Sequence, residues 1–226
     1  SLIIPNSVKT INQYAFYNCR SLASLTIPKS VINIELIAFI YNYDLASIAV
    51  EEGNTRYDSR NNCNAIIDSS TGKMILGCKN TIIPSSVTST DNAFMSCKNL
   101  KSIVIPFGVK NIGGNSFSNC ENLESVSIPN SLRINFGYGV NQSDMIGRYA
   151  FNGCNKLTSV TIYMETPPSI YEETFSNRAN ATLYVPAGCK AAYESADYWK
   201  EFKSIEEIED SNSPAYAVLT DDNSVL

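Results

Sequence analysis

Residues 22–34, LASLTIPKSVINI, contain the pattern that decides the fold. In the segment Ser24-Leu25-Thr26-Ile27, hydroxyl and apolar side chains alternate. This alternation predicts a short strand with the Leu and Ile facing the core and Ser24 and Thr26 facing outwards. Pro28 ends the strand because proline cannot donate a further sheet hydrogen bond. The step from Val31 to Ile34 then predicts a second buried row.

The same pattern recurs along the chain, and the first two copies of its phenylalanine are 23 residues apart. A complete copy has an apolar-Pro step, a phenylalanine, a cysteine three residues later and a Leu-x-Ser strand start. The phenylalanines are Phe16, Phe39, Phe94, Phe117, Phe151 and, in a weaker copy, Phe175. The cysteines are Cys19, Cys97, Cys120 and Cys154, and Asn42 takes this place in the second copy. A unit this short cannot bury its own apolar face, so the copies are predicted to stack into a solenoid.

The predicted fold class is therefore an α/β repeat: a curved parallel β-sheet of short strands, with a short helical turn at each Ala-Phe-x-x-Cys segment. The turn points Phe and Cys inwards, which makes a buried cysteine column. The outward strand positions form a candidate binding face of small side chains. Its candidate residues are Ser24, Thr26, Ser102, Ser125, Ser127, Ser159 and Thr161.

These repeats resemble the BspA-like leucine-rich repeat family, whose unit reads approximately I-P-x-S-V-x-x-I-x-x-x-A-F-x-x-C-x-x-L-x-S-[VI]-x. The resemblance covers roughly residues 1 to 210. It implies a leucine-rich-repeat solenoid and an extracellular or bacterial cell-surface location, since family members are mostly exported, surface-attached proteins. Some members are adhesins, so the implied partner is an extracellular protein or glycan of a host or neighbouring cell.

The repeats are predicted over residues 1–162, with a β-hairpin insertion at 51–83. Its strands flank the loop Ser69-Ser70-Thr71-Gly72, and pairing Asp68 with Lys73 places Cys63 opposite Cys78. Such a pair could form a disulfide. Two free thiols on the buried face of the hairpin explain the same pattern, because buried cysteine behaves as a small apolar residue.

A second insertion is predicted at residues 135–145. Glycine and asparagine surround Phe136 and Tyr138 there, which predicts an exposed loop. Binding residues are often presented on loops held by a rigid scaffold, so these two aromatics are candidate contacts. A neutral insertion on the convex side is the alternative, since surface insertions change stability little.

Residues 163–209 are predicted to be a degenerate last repeat and a C-terminal cap. A helix is expected from Lys190 to Phe202, with Tyr193, Trp199 and Phe202 covering the last coil. A sugar-stacking platform is the alternative for these aromatics. Residues 210–226 are polar and are expected to link to a domain outside the chain. The family resemblance implies an exported protein. Because the N-terminus lacks signal-peptide features, we expect its signal sequence to precede this fragment.

Composition argues against several functions. The chain has no His, 17 Lys and Arg against 22 Asp and Glu, and a net charge of −5. Without His there is no His-based nucleophile or metal site, and no cofactor or metal is expected. Sparse basic residues predict no nucleic-acid partner, and no apolar run predicts insertion into a membrane. The S-x-x-K match at Ser70 and Lys73 lacks its companion motifs.

Two functions remain, and neither is enzymatic. A monomeric recognition module would bind through the sheet face and the 135–145 loop. A stalk or spacer would display another domain and bind no ligand. An aromatic cluster on the sheet face would favour binding, and a bare face of small residues would favour the spacer.

Overall fold

The computed structural model describes residues 3–133 and 145–208. Phe136, Tyr138 and residues 210–226 lie outside the described residues, so the predictions made for them stay predictions. The strands are β1 (Thr10–Ile11), β2 (Ser24–Ile27), β3 (Asn33–Ile34), β4 (Ser47–Val50), β5 (Tyr57–Asp58), β6 (Ala65–Asp68), β7 (Met74–Gly77), β8 (Ser102–Val104), β9 (Ser125–Ile128), β10 (Ser159–Ile162), β11 (Thr182–Val185) and β12 (Ser204–Glu207). Helix α1 spans Lys190–Ser195, and 3₁₀ helices span Arg60–Asn62, Arg178–Asn180 and Trp199–Glu201.

Parallel strands stack the repeats, as the sequence predicts. Strand β2 pairs with β4, and a second sheet has the order β12-β11-β10-β9-β8. In β2, Leu25 and Ile27 are buried while Thr26 is exposed. A second parallel row follows on another side of each coil, where β1 pairs with β3 and isolated bridges join Ser89 to Asn111 and Ile112 to Ile146. The parallel solenoid is therefore confirmed.

The phenylalanines form stacked columns inside the solenoid. We number the coils 1 to 6 by these residues: Phe16, Phe39, Phe94, Phe117, Phe151 and Phe175. In coils 1 and 2 the ring centroids are 5.1 Å apart. In coils 3 to 6 successive rings are 4.9, 5.1 and 4.8 Å apart, with planes within 14° of parallel. Each ring therefore buries the face of the next, which ties coil 1 to coil 2 and joins coils 3 to 6 in series.

The segments around the phenylalanines are turns rather than the short helices predicted. In coils 1 to 4 a left-handed residue lies two positions before and two positions after the ring, for example Asn115 (φ 57°) and Asn119 (φ 59°) around Phe117. A right-handed helix cannot continue through such residues. Asparagine tolerates this conformation better than most residues, which accounts for its presence at both positions.

The hairpin of β6 and β7 interrupts the solenoid between coils 2 and 3 and is buried on both faces. Ala65 and Ile67 belong to the core of coils 3 to 6, whereas Ile66 of the same strand belongs to the core of coils 1 and 2. Strand β7 stacks on coil 3 through backbone bonds such as Gly77 N–H to Ala93 O at 2.8 Å. The hairpin thus divides the hydrophobic core into two clusters.

The predicted register of the hairpin holds at Ile67 and Met74 but is wrong beyond them. A bulge between Ile66 and Ile67 shifts the pairing, so Ala65 lies opposite Gly77. Because both faces of the hairpin are apolar, the sequence pattern does not fix the register.

The register shift also separates the two hairpin cysteines. Cys63 packs in one core cluster and Cys78 in the other, and both thiols are free. The structure thus contains two buried free thiols where the predicted register allowed a disulfide.

The last coil is covered by aromatic side chains. Trp199 lies 5.6 Å from Phe175 between ring centroids, and its indole N–H donates to Pro168 O at 2.8 Å. Phe202 also packs on Phe175, and the buried Tyr193 donates its hydroxyl to Met164 O at 2.7 Å. The predicted helix is shorter than expected, since α1 ends at Ser195 and Tyr198 is left-handed with φ 64°. These rings close the phenylalanine column.

The stacked column leads to a stability prediction. Phe117 is fully buried between two rings, so Phe117→Ala should lower the free energy of unfolding by about 3–5 kcal/mol. Phe107→Ala is the matched control, because Phe107 is 40% exposed and its loss should change stability by less than about 0.5 kcal/mol. Urea unfolding followed by circular dichroism measures both. Equal effects of the two variants would contradict the column as the source of stability.

Candidate recognition surface

Four tyrosines of coils 1 and 2 form a surface cluster that we call the tyrosine patch: Tyr14, Tyr17, Tyr41 and Tyr43. Their rings contact edge to face in one series, with centroid distances of 5.7, 5.3 and 6.1 Å. Tyr14 and Tyr17 are each 50% exposed. Edge-to-face contacts hold the rings in place, and the exposed halves of Tyr14 and Tyr17 stay accessible to a partner.

The turns around Phe16 and Phe39 hold these tyrosines. Tyr14 and Tyr41 occupy the left-handed positions of their coils, with φ 59° and 66°. Coils 4 and 5 place Asn115, Asn119 and Gly153 at left-handed positions of the same turn. A bulky residue in this conformation is strained by on the order of 1–3 kcal/mol, and such strain clusters at binding sites. Coils 1 and 2 therefore retain tyrosines where the fold favours asparagine or glycine.

Positive charge borders the tyrosine patch. The Lys98 ammonium lies 4.7 Å from the centroid of Tyr43, and the Arg20 guanidinium lies 5.6 Å from it. A hydrogen bond to Glu121 raises the pKa of Lys98 and keeps this group cationic. Asn99 donates to Tyr43 O at 2.9 Å, so coil 3 is joined to coil 2 at this place. The patch thus combines exposed aromatic rings with two cations.

The structure brings most of the predicted sheet-face residues into two rows. Ser102, Ser125 and Ser159 lie side by side in the first row, and Ser127 and Thr161 lie in the second. Ser24 and Thr26 lie on the separate sheet of β2 and β4, on the other side of the hairpin.

The sheet face is nearly bare of large side chains in the described strands. Tyr184 (37% exposed) and Val104 (45% exposed) are the large apolar residues that extend the second row. A single tyrosine is not an aromatic cluster. The aromatic cluster of this protein lies on the turns instead.

Sequence reasoning missed the tyrosine patch, although a signal was present. Aligning the coils on their phenylalanines places Tyr14, Tyr17 and Tyr41 at positions that coils 3 and 4 fill with Asn, Met or Ser. Comparing the outer positions of the repeats, rather than the core anchors, would have found these substitutions.

The structure also places the cysteines and the S-x-x-K residues. Cys97, Cys120 and Cys154 form the expected buried column, but Cys19 of coil 1 is exposed. Lys73 pairs with Asp91 at 3.0 Å, and the Ser70 hydroxyl donates to Asp68 at 2.7 Å. Within residues 3–133 and 145–208, no group of three acidic, Cys or His side chains is placed to hold a metal. The described part of the chain has no helix long and apolar enough to cross a membrane.

Stacked parallel strands, a phenylalanine column and a cysteine column together define a solenoid of the leucine-rich-repeat class. The model of the BspA type leucine rich repeat region matches six copies, over residues 1–67, 65–142 and 134–215. The chain belongs to this family.

Solved structures share the fold. A leucine-rich repeat protein from Eubacterium ventriosum has a TM-score of 0.63 and 22% identity over 90% of this chain and 53% of its own. A leucine rich cell surface protein from Faecalibacterium prausnitzii has a TM-score of 0.61 and 21% identity over 98% of this chain and 56% of its own. The pneumococcal vaccine antigen PcpA has a TM-score of 0.56 and 23% identity over 89% of this chain and 60% of its own.

The chain therefore corresponds to between half and three fifths of the length of these three solved chains. No match was found among curated proteins.

The cysteines lead to a labelling prediction. Burial raises the pKa of Cys97 and Cys154 to about 12, and raises that of Cys120 as well, so these thiols hold little thiolate at pH 8. In native protein a disulfide reagent should first label the exposed Cys19, and Cys19→Ser should remove this fast phase. The column thiols should react only after urea unfolding.

Without reductant, the unfolded chain should give seven thiols. A count that is lower by two thiols would show that a disulfide is present. Fast reaction of the column thiols in native protein would contradict their burial.

Proposed function

We propose that this chain is a non-enzymatic recognition module of a bacterial cell surface, exported from the cell, that binds a protein or glycan of a host or neighbouring cell. The observation that carries the proposal is the tyrosine patch with its two bordering cations. The Faecalibacterium relative is described as a cell surface protein and the pneumococcal relative as a vaccine antigen, which supports the location.

The chemistry of the tyrosine patch suits binding. Tyrosine and arginine are enriched among the residues that contribute most to protein interfaces, and tyrosine offers a large contact area with few rotatable bonds. In this protein the rings already contact each other on a stacked scaffold, so little conformational entropy is lost when a partner binds. Tyrosine faces also stack on sugar rings, so the same surface suits a glycan.

One observation favours the alternative of a stalk or spacer. The sheet face carries mostly serine and threonine, and Tyr184 lies between Thr161 and Glu206 in its second row. By the criterion set from the sequence, a bare sheet face favours a spacer. We therefore place the binding surface on the turns of coils 1 and 2, and keep the spacer as the outcome if nothing binds there.

Binding should depend on the centre of the patch. Tyr17 contacts both Tyr14 and Tyr41, so Tyr17→Ala should weaken binding at least tenfold, which corresponds to about 1.4 kcal/mol. The assay probes immobilised matrix proteins and a glycan array with the purified chain. Tyr149→Ala is the matched control, because Tyr149 is a 39% exposed tyrosine of coil 5, and it should leave binding unchanged.

Phe136→Ala and Tyr138→Ala belong in the same assay, since the sequence predicts a contact loop there. If these variants lose binding and Tyr17→Ala does not, the binding contact lies on the loop rather than on the tyrosine patch. No binding above background to any protein or glycan would refute recognition and leave the spacer.

A further inference from the structure

A cleft of about 210 Å³ lies at the break in the solenoid, where the hairpin separates coil 2 from coil 3. Residues 34–40, Asn42 and Leu45 of coil 2 form one wall, and residues 73–78, 91–93 and 95–97 form the other. Apolar side chains dominate the lining, including Leu36, Ile37 and Met95, and Leu36 is 57% exposed. The cleft is thus an apolar site open to solvent.

Two buried polar side chains line this apolar cleft. Asn42 is 8% exposed, and Ser96 is 2% exposed. In the described part of the chain, the Asn42 amide oxygen and nitrogen and the Ser96 hydroxyl have no hydrogen-bond partner. Leaving such groups buried without a partner is unfavourable, and native proteins avoid it except where a ligand or water completes the bonding.

Asn42 departs from the repeat at a position that the fold fills well with cysteine. In coils 4 and 5 this cysteine donates its thiol to the phenylalanine carbonyl of the preceding coil, Cys120 to Phe94 O and Cys154 to Phe117 O, each at 3.2 Å. The side chain of Asn42 makes no such bond. Coil 2 therefore has an amide without a hydrogen-bond partner on the cleft wall, where coils 4 and 5 have a buried thiol that donates a hydrogen bond.

The neighbouring backbone of coil 2 is strained as well. Ile37, which also lines the cleft, is left-handed with φ 55°, whereas coils 3 and 4 have Asn92 and Asn115 at this position. A β-branched residue in this conformation is a clear outlier. Coil 2 thus departs twice from the pattern of the other coils, and both departures face the cleft.

Coil 2 also lacks two of the backbone bonds that join other coils. In coil 1, Phe16 N–H donates to Ala38 O and Asn18 N–H donates to Ile40 O of the next coil. The equivalent donors of coil 2 are Phe39 N–H and Tyr41 N–H, and residues 3–133 and 145–208 supply no acceptor for either. The two donors are two residues apart, which is the spacing at which an extended chain presents its carbonyl groups on one side.

We propose that this cleft binds an extended, apolar peptide segment of another protein, which takes the place of the missing coil beside coil 2. Backbone carbonyls of the peptide accept from Phe39 N–H and Tyr41 N–H, as in strand addition to an open sheet edge. A further peptide group pairs with the Asn42 amide, which offers one acceptor and two donors. Apolar side chains of the peptide fill the space beside Leu36 and Met95.

The occupant is a peptide rather than a purely apolar molecule because the free groups are one backbone edge and one amide. It is not acidic because the ammonium of Lys73 at the cleft is already paired with Asp91 at 3.0 Å, and Glu35 adds a carboxylate to the lining. The site is separate from the tyrosine patch, whose rings do not line it, and the proposal does not depend on the proposed function.

The test uses nuclear magnetic resonance of the whole ¹⁵N-labelled chain. The probe is a capped hexapeptide of alternating leucine and serine, and a peptide with glutamate in place of leucine is its control. The leucine peptide should shift the backbone signals of Phe39 and Tyr41 and the side-chain amide signals of Asn42. The affinity of the glutamate peptide, measured from the same signals, should be at least tenfold lower.

Asn42→Cys is the decisive variant, because cysteine fills this position in other coils. It should reduce the peptide affinity at least tenfold and raise the melting temperature by about 2–4 °C, since an unpartnered buried amide is removed. Ser96→Ala changes a second residue of the cleft lining and should also reduce the peptide affinity. Tyr17→Ala is the control for the tyrosine patch and should leave the peptide-induced shifts unchanged.

Four results would overturn the proposal. The first is the absence of shifts at Phe39, Tyr41 and Asn42 at millimolar leucine peptide. The second is equal affinity for the glutamate peptide. The third is unchanged affinity in both Asn42→Cys and Ser96→Ala. A loss of the shifts in Tyr17→Ala would place the peptide on the tyrosine patch and would likewise refute the cleft.

Discussion

The contact between one phenylalanine ring and the next is the constraint on which this structure depends. A coil of about 23 residues is too small to bury its own apolar face, so it is stable only against a neighbour. Phe117 shows the pattern: its two faces are covered by Phe94 and Phe151, and none of its surface is exposed. Wherever stacking stops, another element must cover the open face. Trp199 and Phe202 do so at coil 6, and the hairpin does so at coil 2 and coil 3.

The features that repeat could be predicted from the sequence. The spacing of the phenylalanines predicts the solenoid, and the alternation in residues 24–27 predicts the outward and buried sides of each strand. The hairpin register could not be predicted, because Ile66 and Ile67 face different cores and either side of the strand can be buried. The exposure of Cys19 was missed because a column position is buried only when a neighbour covers it. The tyrosine patch and the cleft were missed because they form from positions outside the repeat anchors, and those side chains meet only after stacking.

The residues that depart from the repeat are concentrated in the first part of the chain. Coils 3 to 5 follow the pattern closely, with asparagine or glycine at several left-handed positions and cysteine in the column. Coils 1 and 2 instead place Tyr14, Ile37 and Tyr41 in strained conformations and leave Asn42 without a partner. A stable scaffold can tolerate a few such residues, and proteins usually retain them where they bind something. This contrast separates the coils that follow the repeat pattern from the two coils that carry the proposed binding surfaces.

The division of the core by the hairpin has a consequence for cooperativity. In a repeat protein, unfolding is coupled from one coil to the next by the interface between them. Every interface within coils 3 to 6 has a stacked ring pair, whereas the junction of coils 2 and 3 has a hairpin and a cleft instead. We therefore expect coils 1 and 2 to exchange their amide hydrogens as a unit of lower stability than coils 3 to 6. Under tension along the solenoid axis we expect this junction to yield first, so that coils 1 and 2 detach while coils 3 to 6 stay folded.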